Sequence, residues 1–150
     1  MEIDEKILEN LIRKVISEQL GNIQKDETKT IDKKSGVITI KAPAVTTERF
    51  DTGKAGDQVF LKDAVTLEES PRMMFGIMEM KEGSAFDWTL GYDEVDYIID
   101  GTLEITVDGV KSTAGKGEII FIPMNTSVTF STPDSTRFMY VTYPANWSEQ

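Results

Sequence analysis

From Gly36 onward the sequence breaks into short β-rich runs: "GVITIKAP", "QVFLKDAVTL", "PRMMFGIMEM", "VDYIIDG", "TLEITVDGVKS", "EIIFIP", "SVTFST" and "RFMYVTYP". Runs of this length, rich in β-branched and aromatic residues and bounded by turn formers, read as strands. The chain beyond residue 36 is therefore expected to be all-β. Asp108-Gly109 lies between "TLEITV" and "VKSTA", and such a pair favours the type I′ turn whose twist matches a hairpin. Many short strands on this scale close into a sandwich or barrel, because closure removes exposed edges. No internal repeat or low-complexity tract interrupts them.

The first 20 residues follow another period. Ile3, Ile7, Leu8, Leu11, Ile12, Val15, Ile16 and Leu20 recur at spacings of three and four, the pattern of an amphipathic helix. Gly21 and Asn22 are suited to ending it. The segment "GNIQKDETKTIDKKSG" is polar and charged, which marks residues 21–39 as a linker. The helix, residues 1–20, is then an appendage that caps the domain, packs in a dimer or acts as a detachable docking peptide. With 150 residues, 39% of them hydrophobic, the chain suffices for one core, placed in residues 40–150.

Composition narrows the chemistry. The chain has no cysteine and no histidine, so disulfides, thiolate sites, the usual general base and the commonest transition-metal ligand are all missing. Carboxylates, hydroxyls, tyrosines, lysines and arginines must carry any reaction. A formal net charge of -10 opposes a nucleic-acid backbone, and no apolar run is long enough to span a membrane. The N-terminus lacks the apolar core of a signal peptide. These features point to a soluble cytoplasmic protein without nucleic-acid or membrane partners.

Two segments resemble the cupins, small jelly-roll β-barrels whose first motif runs from a glycine through two histidines and a glutamate to a second glycine. Their second motif holds a glycine, a proline and a third histidine. Glu94, six intervening residues and Gly101 match the end of the first, and "GEIIFIPMNTSV" matches the second through Gly117 and Pro123. Aligning Glu94 on the motif's glutamate puts Asp87, Thr89 and Val128 at the three histidine positions, with Gly83 two residues from its usual spacing. Of four expected ligands only the glutamate is kept, so no transition metal is expected. The segments "FDWTLGYDEVDYIIDGTLEITVDG", "GEIIFIPMNTSVTFSTP" and "RFMYVTYPANW" are similar to the EutQ-type ethanolamine utilization family within the cupins. That resemblance implies a cupin β-barrel with an N-terminal amphipathic helix, a homodimer, and work in a bacterial microcompartment. Residues 1–20 would meet its shell or core enzymes as an encapsulation peptide. Some members of the family are acetate kinases, which would bring in Mg²⁺ and ATP.

Strand alternation puts Glu94, Asp96 and Ile98 on one face and Val95, Tyr97 and Ile99 on the other. If Glu94 points inward, so does Asp96. Two carboxylates inside a barrel repel, so a cation lies between them or one holds a proton; oxygen ligands would favour Mg²⁺. The bland alternative is a pair hydrogen-bonded to neighbouring side chains. Tyr92 joins Glu94 and Asp96 as a candidate catalytic residue. Asp87, Trp88, Thr89 and Tyr140 are candidate ligand contacts, since rings wall a small ligand and hydroxyls orient it. Thr142 shares the alternation of Tyr140, while Asp93 reads as a solvated charge. "DTGKAGD" and "TAGKGE" lack the glycine spacing and following hydroxyl of a Walker loop, leaving Lys54, Arg72, Lys81 and Arg137 as scattered phosphate contacts. The function expected is an ethanolamine-utilization accessory protein with acetate kinase activity. The competing readings are a non-catalytic scaffold or small-ligand binder recruited to the shell, and a metal-free lyase or isomerase.

Overall fold

The computed structural model describes residues 5–21, 28–81 and 83–149 of the 150-residue chain. It divides into two units, Met1–Ala44 and Val45–Gln150. The first begins with the helix α1, Glu5–Gly21. Within it Ile7, Leu8, Leu11, Ile12, Val15 and Ile16 form the expected apolar stripe, and all six are exposed. Residues 1–4 and 22–27, which belong to the expected helix and linker, lie outside the described residues.

Part of the segment read as a linker is a hairpin. β1, Lys29–Ile31, pairs antiparallel with β2, Ile38–Ile40. The polar residues between them build its turn. Asp32 Oδ1 accepts the backbone N–H groups of Lys34 and Ser35 at 2.8 and 2.9 Å, and Gly36 takes a positive φ of 75°. Such Asp-centred turns mimic backbone pairing, so the composition that suggests an unstructured linker also suits a tight turn. "GVITIKAP" accordingly belongs to the first unit, and the barrel starts at Val45.

Nine strands form the second unit: β3 Glu48–Arg49, β4 Val59–Asp63, β5 Met74–Met80, β6 Ala85–Leu90, β7 Asp93–Val107, β8 Val110–Gly115, β9 Ile119–Ile122, β10 Thr126–Ser131 and β11 Thr136–Tyr143. Their order across the curled sheet is β3-β4-β5-β11-β7-β10-β6, with β8 and β9 also pairing to β7. The all-β barrel is as expected, but "VDYIIDG" and "TLEITVDG" are one continuous strand. The first half of β7 lies between β9 and β11, and the second half between β8 and β10. The strand changes partners at Gly101, whose φ is +75° and where a Cβ would overlap the Ser135 carbonyl. Asp108 and Gly109 both take positive φ, 49° and 79°, as the type I′ turn requires.

Inward residues follow the two-residue period of the strands. Phe138, Met80, Leu90, Ile98, Leu103 and Val59 are the largest fully buried apolar side chains. β11 turns Thr136, Phe138, Tyr140 and Thr142 inward, settling the face that the sequence leaves open. Gly101→Ala combines left-handed strain of about 1–2 kcal/mol with overlap of backbone atoms. It should destabilise the barrel by about 4 kcal/mol or prevent folding. Gly109→Ala has strain and no overlap, so it should cost about 1 kcal/mol; denaturant unfolding of both variants checks the contrast.

Candidate functional site

β7 carries Glu94 and Asp96 on the face that the period predicts, and both are buried, Glu94 with 5% and Asp96 with 0% of its surface exposed. The ladders set their neighbours. Glu94 lies between Ile122 of β9 and Thr142 of β11, and Asp96 between Ile120 and Tyr140. Beside Glu94 is a small cavity of about 20 Å³, with walls that include Phe50, Leu61, Trp88, Tyr92, Tyr140 and Trp147. That space accommodates about one water. No lysine or arginine lines it.

Protonation is shaped by burial. Neither oxygen of Asp96 meets a donor group, and the group that reaches it is the carboxyl of Glu94. Burial raises Glu94 from the ordinary carboxylate value to about 7, offset in part by hydrogen bonding to Asp96 and Tyr92. Burial also holds Asp96 well above its ordinary value, reinforced by the charge of Glu94. Two carboxylates in contact without a counter-ion cannot both ionise cheaply, so the pair shares a proton near neutrality and titrates as a unit. Tyr92 continues the chain outward: its hydroxyl bonds Glu94 and accepts the indole N–H of Trp88 at 2.9 Å. Burial, then the charge of Glu94, keep the Tyr92 phenol protonated far above its usual range.

Tyr140 lines the cavity and also holds the wall together. Its hydroxyl donates to Asp63 Oδ1 at 2.6 Å, passing over Gly76, where a Cβ would overlap that hydroxyl and the Lys62 carbonyl. Trp147 Nε1 donates to the same oxygen at 3.1 Å. Asp63 therefore ties Tyr140 in the barrel to the C-terminal turn Trp147–Glu149. Phe50, Trp88 and Trp147 meet edge to face in a triangle, with centroids 5.7, 6.1 and 6.2 Å apart. Sequence alone does not single out Asp63, Phe50 or Trp147, because long-range pairing brings them here.

Asp87 and Thr89 are not in the cavity. Both are exposed, and they bond across the ladder to β10: Thr129 Oγ1 donates to Asp87 Oδ1 at 2.5 Å, and Thr89 and Ser127 hydroxyls lie 2.9 Å apart. The inward residues of β6 are Phe86, Trp88 and Leu90, fixed by the pairing of Trp88 with Val128. Counting back from Glu94 one residue too far moves the whole strand to the wrong face. Trp88 and Leu90 stand at the inward places given to Asp87 and Thr89, and Val128 is buried as its alignment implies. Asp93 is more than a solvated charge: its Oδ1 accepts the Met124 N–H at 2.8 Å and holds the turn before β10.

The donor set does not fit the metals considered. Indole, leucine and valine offer no ligands for a transition metal, and no group of three or more Asp, Glu, His or Cys gathers among the described residues. Mg²⁺ demands six oxygens and usually keeps several waters, more than two buried carboxylates and this cavity provide. Of the four scattered cations, Arg137 and Lys81 both act on Glu79. Arg137 pairs with Glu79, Lys54 reaches Asp57 at 3.9 Å, and Lys81 lies 5.6 Å from the Phe60 ring centre.

Comparison with known proteins adds the family. A family model described as ethanolamine utilisation protein EutQ matches residues 3–149. The chain is 50% identical, over 99% of its length and 96% of the relative's, to a Clostridioides difficile protein named acetate kinase EutQ. It is 37% identical to the Salmonella typhimurium protein of that name, covering 95% of this chain and 63% of that longer relative. The solved structure of the Clostridium difficile EutQ protein superposes with a TM-score of 0.78 and 54% identity, over 81% of this chain and 90% of that one. The cupin domain of Schizosaccharomyces pombe Cnp3 shares the fold at TM-score 0.58 with 14% identity, over 81% of this chain and 88% of that one.

Because burial raises the Glu94 and Asp96 values, the folded state binds protons that the unfolded chain has lost between about pH 4.5 and 7. Stability from this pair is present below the unfolded value and declines as pH rises through the folded one, Glu94 alone accounting for on the order of 3 kcal/mol. Glu94→Gln should make that part of the profile less steep and leave the share due to Asp96; thermal melts of both proteins across this window measure it.

Proposed function

We infer the function from two premises: the chain belongs to the EutQ family of ethanolamine utilisation proteins, and its barrel encloses a carboxyl pair without a counter-ion. The reading best supported is an ethanolamine-utilisation accessory protein with acetate kinase activity, moving a phosphoryl group from MgATP to acetate. The observation that carries it is the 50% identity, over nearly all of both chains, to the Clostridioides difficile protein named acetate kinase EutQ.

Geometry limits where that reaction runs. A triphosphate is far larger than a cavity of about 20 Å³ with no cation in its wall, so MgATP is expected on the surface of the protein. Acetate is ionised near neutrality and attacks phosphorus without losing a proton, so it needs no general base. The Glu94–Asp96 pair is therefore left without a task in phosphoryl transfer. This favours a second reading, in which the barrel performs metal-free proton transfer of the lyase or isomerase kind, with Glu94 as acid or base and Tyr92 oriented by Trp88.

One assay separates them. Purified protein with acetate, ATP and Mg²⁺ should form acetyl phosphate, trapped as the hydroxamate. Glu94→Gln should keep that turnover within a few fold if transfer occurs outside the cavity. A loss of about 10²–10⁴-fold would place Glu94 in the chemistry, and no turnover by wild type would leave a scaffold or binding module.

The location we propose is a bacterial microcompartment. An amphipathic α1 with six exposed apolar residues has the form of a helix that lies in a partner's groove. Shell or core enzymes are the partners expected, alongside a homodimer of the barrel. The net charge of -10 speaks against nucleic acid, and no helix among the described residues is long and apolar enough to cross a membrane. A fluorescent reporter fused to residues 1–20 should collect in shells, and Leu11→Asp should disperse it.

A further inference from the structure

Hydroxyl protons around the Glu94–Asp96 pair are aimed in fixed directions. The indole N–H of Trp88 can only donate, and it occupies the Tyr92 oxygen at 2.9 Å, so the proton of Tyr92 is left for Glu94. The two hydroxyls across the β11 ladder are engaged elsewhere. Tyr140, opposite Asp96, donates to Asp63 Oδ1 at 2.6 Å, and Thr142, opposite Glu94, donates to the Pro144 carbonyl at 3.4 Å. On the other side β9 brings Ile120 and Ile122. Glu94 therefore receives a neutral donor from outside the pair, and Asp96 receives none.

Hydrogen bonds to a carboxylate stabilise its charged form, and burial without them favours the neutral form. Both effects separate the two groups in the same sense. Glu94 reaches the cavity wall, where a space of about 20 Å³ holds about one water, and it takes the Tyr92 donor. Asp96 is 0% exposed and absent from that wall. A single proton on Asp96 then serves both groups: it removes a charge that no outside donor would meet, and its O–H donates to Glu94. The reverse placement would bury an ionised Asp96 and spend the Tyr92 hydroxyl on an uncharged carboxyl.

We propose that Asp96 is a positioning residue that holds the one proton of the pair and donates it to Glu94, leaving Glu94 ionised at the cavity wall as a base rather than an acid. A carboxylic acid kept neutral by an apolar site acts as a hydrogen-bond donor in this way. Glu94 then stands between two aimed donors, the Tyr92 hydroxyl and the Asp96 carboxyl, with lone pairs left to accept a proton from the cavity. The titratable groups facing the pair are Tyr92 and Tyr140, with Asp63 of β4 behind Tyr140. Both phenols stay protonated, and no lysine or arginine lines the cavity. Such a base serves the proton-transfer reading above and rests on that reading for a substrate. The placement of the proton does not; it is measured on the resting protein, so its failure is distinct from the outcome of the acetyl phosphate assay.

The full chain is labelled with ¹³C at the side-chain carboxyl of either aspartate or glutamate, and NMR spectra are recorded between about pH 5 and 9. Glu94→Gln and Asp96→Asn, confirmed as folded by circular dichroism, assign the two signals by their loss. At about pH 8 the Asp96 carboxyl should remain protonated while every glutamate is ionised. Asparagine keeps an N–H donor in place, so in Asp96→Asn the Glu94 midpoint should stay within about half a pH unit of wild type. Asp96→Val removes the donor and should raise that midpoint by at least about one unit, a tenfold gain in proton affinity. Rescue by asparagine and not by valine is a pattern that packing alone does not produce. A protonated glutamate instead of the aspartate at about pH 8, no protonated carboxyl of either type there, or a Glu94 midpoint more than about one unit lower in Asp96→Asn would overturn the proposal. If Asp96→Asn fails to fold, the wild-type spectra and Asp96→Val, which puts an apolar side chain in a buried place, decide.

Discussion

Two consecutive inward positions of one strand, both occupied by carboxylic acids, impose the central constraint on this barrel. Removing two charges from water costs more than their geometry returns unless something neutralises them. Here the surroundings contain isoleucine, threonine, tyrosine and tryptophan, with no basic side chain in the cavity wall. Burial raises both carboxyls as a consequence, and both Asp96 oxygens are left without a donor group. A hydrophobic residue at either position would pack there without that penalty. The local sequence thus gives up stability at these two positions.

The surrounding structure keeps that site in one geometry. Asp63 accepts from both Tyr140 and Trp147, coupling the end of β4 to β11 and to the C-terminal turn. Gly76 makes room for the first of these bonds, and the ring triangle closes the mouth by packing Phe50 against both indoles. Each contact adds about 0.5–1.5 kcal/mol. The turn Trp147–Glu149 supplies Trp147 to the cavity wall.

How much of this was legible in the sequence depended on the range of the determining contacts. The inward direction of Glu94 and Asp96 follows from a period of two and holds in the structure, as does the Asp108-Gly109 turn, because both are local. Asp87 and Thr89 face outward because the face of β6 is decided by its ladder with β10, and a slip of one residue inverts every side chain. The polar stretch before residue 40 was read by composition alone, which does not distinguish a free linker from a hairpin whose turn is built by Asp32. Asp63, Phe50 and Trp147 act only through contacts with residues distant in the chain. No short-range pattern marks them.

The same reasoning separates what family membership explains from what it leaves open. Phosphoryl transfer to acetate needs cations for the phosphates and an ionised carboxylate as nucleophile, and the barrel interior supplies neither the cations nor room for a nucleotide. An interior that is anionic, aromatic and one molecule wide is the opposite of a phosphate site. Were the interior the phosphoryl-transfer centre, lysine or arginine would face Glu94 and offset its burial, and its carboxyl would remain ionised well below neutrality. Burial instead pushes its carboxyl up toward neutrality, with no lysine or arginine in the cavity wall.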